Sequence, residues 1–105
     1  MIDKYADFVI TGVFDQARVP HHLAQVNHAV LGLAGEVGEV ANLQKKENLG
    51  KAVTIADYID ELGDVLWYFT LVCALKGTSI EEVMTQNMKK LKARYPDGKI
   101  NERYV

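Results

Sequence analysis

Along most of this chain apolar residues recur at steps of three and four, the spacing that lines one face of an α-helix. From His22 to Lys46 no proline intervenes, and Leu23, Val26, Ala29, Val30, Leu33, Val37, Val40 and Leu43 keep that rhythm. This predicts a first long helix, with Asn48-Leu49-Gly50 as its stop and turn. Thr54-Ile55-Ala56-Asp57 has the form of a capping box with aspartate as the acidic member. A second long helix is therefore expected from Ile55 to about Lys76, ended by Gly77. Ile59, Leu62, Val65, Leu66, Trp67, Phe69, Leu71 and Val72 make it apolar on nearly every side, and such a helix is expected at the centre of a fold.

The flanking pattern is weaker. Tyr5, Phe8, Val9 and Gly12 suggest a short helix over residues 3 to about 13, and Pro20 is expected to mark entry into the first long helix. Ser79 and Glu82 form a second capping box, so a last helix is predicted over Ile80 to Arg94. Its stripe of Ile80, Val83, Met84, Asn87, Leu91 and Tyr95 is expected to face inward. Pro96-Asp97-Gly98 breaks it, leaving Lys99 to Val105 as a loosely held tail. The expected fold is all-α: one domain over residues 1–105, a small helical bundle with two long central helices. A chain of 105 residues buries only a modest core, so the bundle is expected to be completed by oligomerisation.

Composition narrows the class. With 49% hydrophobic residues and a net charge of −2, nothing in the overall balance calls for nucleic acid. The basic residues Lys89, Lys90, Lys92, Arg94, Lys99 and Arg103 near the end, set against Asp97 and Glu102, read as a solvated helix end and tail. A lone Cys73, no cleavable leader and no long apolar span point to a cytoplasmic protein without a membrane partner. Cys73 itself reads as core filler.

The chemistry lies in two acidic stretches, Gly35-Glu36-Val37-Gly38-Glu39 and Asp60-Glu61-Leu62-Gly63-Asp64. In a helix, residues i and i+3 stand about 5–6 Å apart on one face, so each stretch presents a pair of carboxylates. No lysine or arginine lies three or four positions from any of the four. If the two helices pack with these pairs facing, their charges repel until protons or a cation join them. Oxygen-only ligands suit magnesium, or manganese, before softer metals. Asp57, Glu61, Asp64 and Tyr68 share one narrow face of their helix, and Glu36 and Glu39 share a side with His28, toward which a bound ligand would extend. Gly32, Gly35 and Gly38 each cost about 1 kcal/mol within a helix. They read either as a smooth groove for a helix or ligand, or as tolerated packing positions.

A cluster of helical carboxylates also describes di-iron proteins, but those add Glu-x-x-His pairs, and here Glu39 and Asp64 occupy the histidine positions. With magnesium present, a polyphosphate is the natural ligand. Lys45, Lys46, Asn87 and Lys90 are the candidates for holding its phosphates.

Glu36-x-x-Glu39, then after residues 40–60 Glu61-Leu62-Gly63-Asp64 followed by Val65-Leu66-Trp67-Tyr68, and later Asn87-x-x-Lys90-Leu91-x-x-Arg94-Tyr95-Pro96, resembles the MazG-like nucleoside triphosphate pyrophosphohydrolases over about residues 28–98. The resemblance implies an all-α homodimer or homotetramer that hydrolyses a nucleoside triphosphate, here expected to be a deoxynucleotide, to the monophosphate and pyrophosphate. It further implies magnesium bound by Glu36, Glu39, Glu61 and Asp64, with Asn87 and Lys90 near the substrate. Water would then attack the α-phosphorus, with Glu36 or a neighbouring ligand accepting its proton, and Trp67 or Tyr68 would stack on the nucleobase, packing being the favoured role for Trp67. Two other readings stand beside this one: a phosphoribosyl-ATP pyrophosphohydrolase, and a non-catalytic helical interaction module.

Overall fold

A computed structural model describes residues 1–13 and 22–98 of the chain. Pro20 and the Lys99 to Val105 tail, with Lys99, Glu102 and Arg103, lie outside the described residues. The elements in order are α1 (Ile2–Phe8), a π-helical segment (Val9–Val13), α2 (His22–Asn48), α3 (Ile55–Leu75) and α4 (Ile80–Arg94). The described residues form no strand, and none of their helices is long and apolar enough to cross a membrane.

Local chemistry accounts for the helix ends. At the start of α3, Thr54 N–H donates to Asp57 Oδ2 at 2.9 Å and Asp57 N–H donates to Thr54 Oγ1 at 3.2 Å, a complete capping box. At α4 the expected box is half formed. Glu82 N–H donates to Ser79 Oγ at 3.1 Å, while the Glu82 carboxylate accepts from Thr78 Oγ1 at 2.8 Å. Gly77 closes α3 at φ 76°, letting Thr78 N–H reach back to the Cys73 carbonyl at 2.8 Å. Near the N-terminus, the stretch expected as one short helix changes winding after Phe8. There Thr11 Oγ1 donates to the Asp7 carbonyl at 2.7 Å, competing with the backbone ladder.

Helices α2 and α3 run antiparallel, as their cross-contacts require. Tyr58 Oη donates to Gln44 Oε1 at 3.3 Å near the loop, whereas Gly32 meets Tyr68 far from it. Val9, Ala29 and Leu71 form the small buried core at that far end, with Tyr5, Trp67, Val72 and Leu75 packed against it. The π-helical segment thus seats α1 across the open end of the α2–α3 hairpin. Cys73 is buried, as expected of core filler.

Two expectations about burial are corrected within the single chain. The α3 residues Ile55, Ile59, Leu62 and Leu66 form a continuous stripe at helical spacing, yet are 75%, 65%, 50% and 43% exposed. Among the described residues α2 is the element packed along this length, and it covers one face of a helix that is apolar all round. In α4, of the stripe expected to face inward, Ile80 is buried and Val83 and Tyr95 are half-buried, while Met84, Asn87 and Leu91 are exposed. Packing against α1 reaches the beginning of α4, where Met84 and Glu81 border Met1 and Ile2.

Candidate metal centre

The antiparallel register is what converts two sequence motifs into one site. Position 36 falls opposite 64, so each acidic pair faces the other across the seam. One carboxylate oxygen from each of Glu36, Glu61 and Asp64 lies within 4.8 Å of the others. Glu36 and Glu61 are half-buried and Asp64 is exposed. Glu39 is exposed beside these three and adds its charge to theirs without being one of the close group.

Burial and mutual repulsion both bear on their acidity. Burial, then the charges of Asp64, Glu39 and Asp60, raise the Glu36 carboxyl above its ordinary value of 4.5. Glu61 is raised too, by burial first and then by Glu39, Glu36, Asp64 and Asp60. Protons or a multivalent cation would relieve that repulsion. The donor set fits a hard dication, since it offers carboxylate oxygens and neither nitrogen nor sulfur. Asp60 is a contributor that the i,i+3 pairing did not single out. It acts through its charge from outside the close group of three.

Beside the carboxylates opens a cavity of about 520 Å³, lined by Glu36, Gly63 and Asp64 together with Tyr5, Phe8, Trp67 and Tyr68. Tyr68 is held in place from behind. Its ring lies so close over Gly32 that a Cβ there would overlap it, and the Trp67 ring meets it edge-on with centroids 4.9 Å apart. His28 borders the same ring at 6.1 Å but does not line the cavity. A Cβ at Gly35 or Gly38 would meet nothing within 4 Å. Of the three α2 glycines, Gly32 alone therefore serves a close approach among the described residues. Tyr5 sits near enough to Asp64 for the carboxylate charge, after burial, to raise its phenol pKa. The sequence marked Tyr5 and Phe8 as apolar positions of a helix, but their arrival at the acidic site is a long-range event with no local signal.

The expected phosphate-holding residues lie elsewhere. Lys45 and Lys46 occupy the last turn of α2, where Lys46 helps to lower the Asp57 pKa behind the hydrogen bonds from Thr54. Asn87 and Lys90 line a separate open cavity of about 460 Å³ with Thr78, Glu82, Val83 and Gln86. That cavity shares no lining residue with the one beside the carboxylates. Within one chain, the structure gathers acids and aromatic rings at one place and leaves these cations at others.

The MazG nucleotide pyrophosphohydrolase domain matches residues 25–99, a span that contains all four carboxylates, Asn87 and Lys90 and leaves out α1. The Gene 37 protein of Mycobacterium phage L5 is 30% identical over 95 residues, covering 86% of this chain and 83% of the phage protein. That name states no activity. No solved structure matches the chain.

Proposed function

From the premise that this chain belongs to the MazG nucleotide pyrophosphohydrolase family, we propose that it hydrolyses a nucleoside triphosphate, a deoxynucleotide in our reading, to the monophosphate and pyrophosphate. The observation that carries this reading is the meeting of Glu36, Glu61 and Asp64 oxygens within 4.8 Å across the α2–α3 seam. Glu36, Glu61 and Asp64, supplemented by Glu39 at their edge, are the residues assigned to hold magnesium, with manganese as a substitute. When bound, the ion supplies positive charge for phosphate oxygens and lowers the pKa of water.

The chain's own residues then have separable tasks. Glu36, half-buried where the seam meets the cavity, is assigned as acceptor of the proton from the attacking water. The water oxygen forms a bond to the α-phosphorus, and the bond from that phosphorus to the α,β-bridging oxygen breaks. Pyrophosphate leaves with that electron pair. Asn87 and Lys90, with Lys45 or Lys46, are assigned to the departing phosphates, whose charge they offset.

A homodimer or homotetramer is part of this reading. It is supported by the exposed α3 stripe of Ile55, Ile59, Leu62 and Leu66, an apolar surface of the kind that symmetric association buries. Assembly would also offer a route for Asn87 and Lys90 of one copy to approach the carboxylates of another.

The test is a panel of canonical and modified nucleoside triphosphates incubated with protein and magnesium, scored for monophosphate and pyrophosphate. Metal-dependent release of pyrophosphate is expected. Release of inorganic phosphate and a diphosphate would move the attack to another phosphorus, and no release from any member would refute the enzymatic reading.

A further inference from the structure

Two turns of α2 beyond Glu39 stands Lys46, in the last turn of that helix. Positions 39 and 46 fall within about 20° of each other round the axis, so the acidic side of α2 ends on a lysine. We propose that Lys46 contacts the third phosphate of the substrate at the loop end of the α2–α3 seam, and so makes the site selective for triphosphates over diphosphates. The assignment rests on the triphosphate reading above and deepens it, separating Lys46 from Lys45 and giving the polyphosphate a direction.

The register of the hairpin supports the placement. Gly32 meets Tyr68, Glu36 meets Asp64 and Gln44 accepts from Tyr58, so position 46 falls opposite the first turn of α3. Asp57 lies in that turn, on the face it shares with Glu61 and Asp64. There, behind the hydrogen bonds from Thr54, the charge of Lys46 helps to hold the Asp57 carboxyl low. The two side chains are thus neighbours on the acidic side of the seam. Asp57 Oδ2 already accepts from Thr54 N–H at 2.9 Å as part of the helix cap. Lys46 is exposed, and its ammonium carries three donors that a phosphate can accept.

The other end of the carboxylate group excludes the alternative direction. Among the described residues no lysine or arginine lines the cavity beside Glu36 and Asp64, so phosphates turned that way would meet no cation beyond the metal centre. Toward the loop they meet Lys46. Between Glu39 and Lys46 the helix rises about 10 Å, and a lysine stem leans toward the helix N-terminus, back along that gap. The phosphate farthest from the attacked phosphorus is the one that reaches such a group. Lys45 is differently placed. Buried Leu43 marks the covered side of α2; Lys46 lies about 60° from it and Lys45 about 160°, on the opposite side. Both lysines suit the C-terminal end of the helix dipole, which accounts for a basic last turn but not for the face that Lys46 occupies.

The experiment compares wild type with Lys46→Gln, Lys46→Arg and Lys45→Gln, each as the full chain with magnesium. Calorimetric titration with the α,β-imido analogues of dATP, dGTP, dCTP and dUTP, and with those of the corresponding diphosphates, gives the affinity for each tail length. Hydrolysis of the parent triphosphates is followed in parallel. Lys46→Gln should weaken the triphosphate analogues on the order of 10-fold, the scale of one charge-assisted hydrogen bond. Affinity for the diphosphate analogues should stay unchanged, because they carry no group that reaches Lys46. Lys46→Arg keeps the charge and should retain most of the triphosphate preference, while Lys45→Gln should match wild type for both tails. Equal weakening of triphosphate and diphosphate analogues, or an equal loss in Lys45→Gln, would overturn the proposal. A wild type that hydrolyses triphosphates, with Lys46→Gln binding them as tightly, sinks the third-phosphate contact and leaves the function standing. Lys46-dependent preference for three phosphates without pyrophosphate release does the reverse, and a wild type that binds no analogue overturns both.

Discussion

The ring of Tyr68 on α3 lies directly over Gly32 on α2, in space that any side chain at position 32 would need. This contact sets the separation of the two helices at the end where the cavity opens, and it holds Tyr68 against Trp67.

Gly32→Ala should therefore destabilise the protein despite alanine's better helix propensity. Displacing a packed ring costs about 1–3 kcal/mol, against a gain of about 1 kcal/mol from removing a helical glycine. Gly35→Ala and Gly38→Ala, whose new methyl groups would meet open space in the single chain, should stabilise by about 0.5–1 kcal/mol. Urea denaturation of the three variants measures the contrast. Destabilisation at position 35 or 38 would reveal a surface from a second copy covering that face.

Asp64→Asn and Glu61→Gln should each lower pyrophosphate release by at least about 100-fold, the scale of losing one electrostatic stabiliser from an active site. Each should also raise the melting temperature measured without divalent cations, because it removes one of several mutually repelling charges. A parallel fall in stability would mark these residues as structural supports instead.

The pH dependence follows from the raised carboxyls of Glu36 and Glu61. Between the ordinary glutamate value of 4.5 and the higher folded values, the native state holds protons that the unfolded chain has released. Stability contributed by these groups is thus present below 4.5 and is lost as pH rises through the folded values. Without divalent cations the melting temperature should drift down across that window. Magnesium should flatten the slope, since it takes over the role of the protons. Thermal melts at several pH values, with EDTA and with magnesium, check both statements.

Asp57 titrates in the opposite sense. Hydrogen bonds from Thr54 hold its carboxyl below the ordinary 3.8, so its contribution is present above that value and lost as pH falls through the folded one. Thr54→Ala removes the α3 cap and should cost about 1 kcal/mol at neutral pH. Its deficit relative to wild type should shrink in strong acid, a comparison that melts at pH 7 and pH 2 supply.

The exposed α3 stripe gives the assembly its own test. Ile59→Lys, placed at its centre, should shift the protein toward monomer in sedimentation velocity. A wild type already monomeric at high concentration would show that the stripe is not the contact.

How much of this was legible in the sequence depends on the range of the interactions involved. The bounds of α2, α3 and α4 came within a residue or two because their determinants are local: three- and four-residue apolar steps, Thr54 with Asp57, Ser79 before Ile80, Gly50 and Gly77 beyond the ends. The carboxylate motifs were legible for the same reason, since i and i+3 share a helix face whatever the helix packs against. Orientation in α4 was not. Its apolar stripe signals a face that seeks a partner, but not whether one chain can supply that partner beyond Ile80.

By itself the sequence determined the three longer helices, the Thr54–Asp57 cap, and two acidic pairs each presented on one face. Only the tertiary structure decided that Glu36, Glu61 and Asp64 form the close set while Glu39 stands at its edge, that Tyr68 takes the space over Gly32, and that Tyr5 and Phe8 come to the same cavity. The reason is physical: helix propensity, capping and face periodicity act over a few residues, whereas the register of α2 against α3 and the seating of α1 are settled by side-chain packing between segments far apart in the chain.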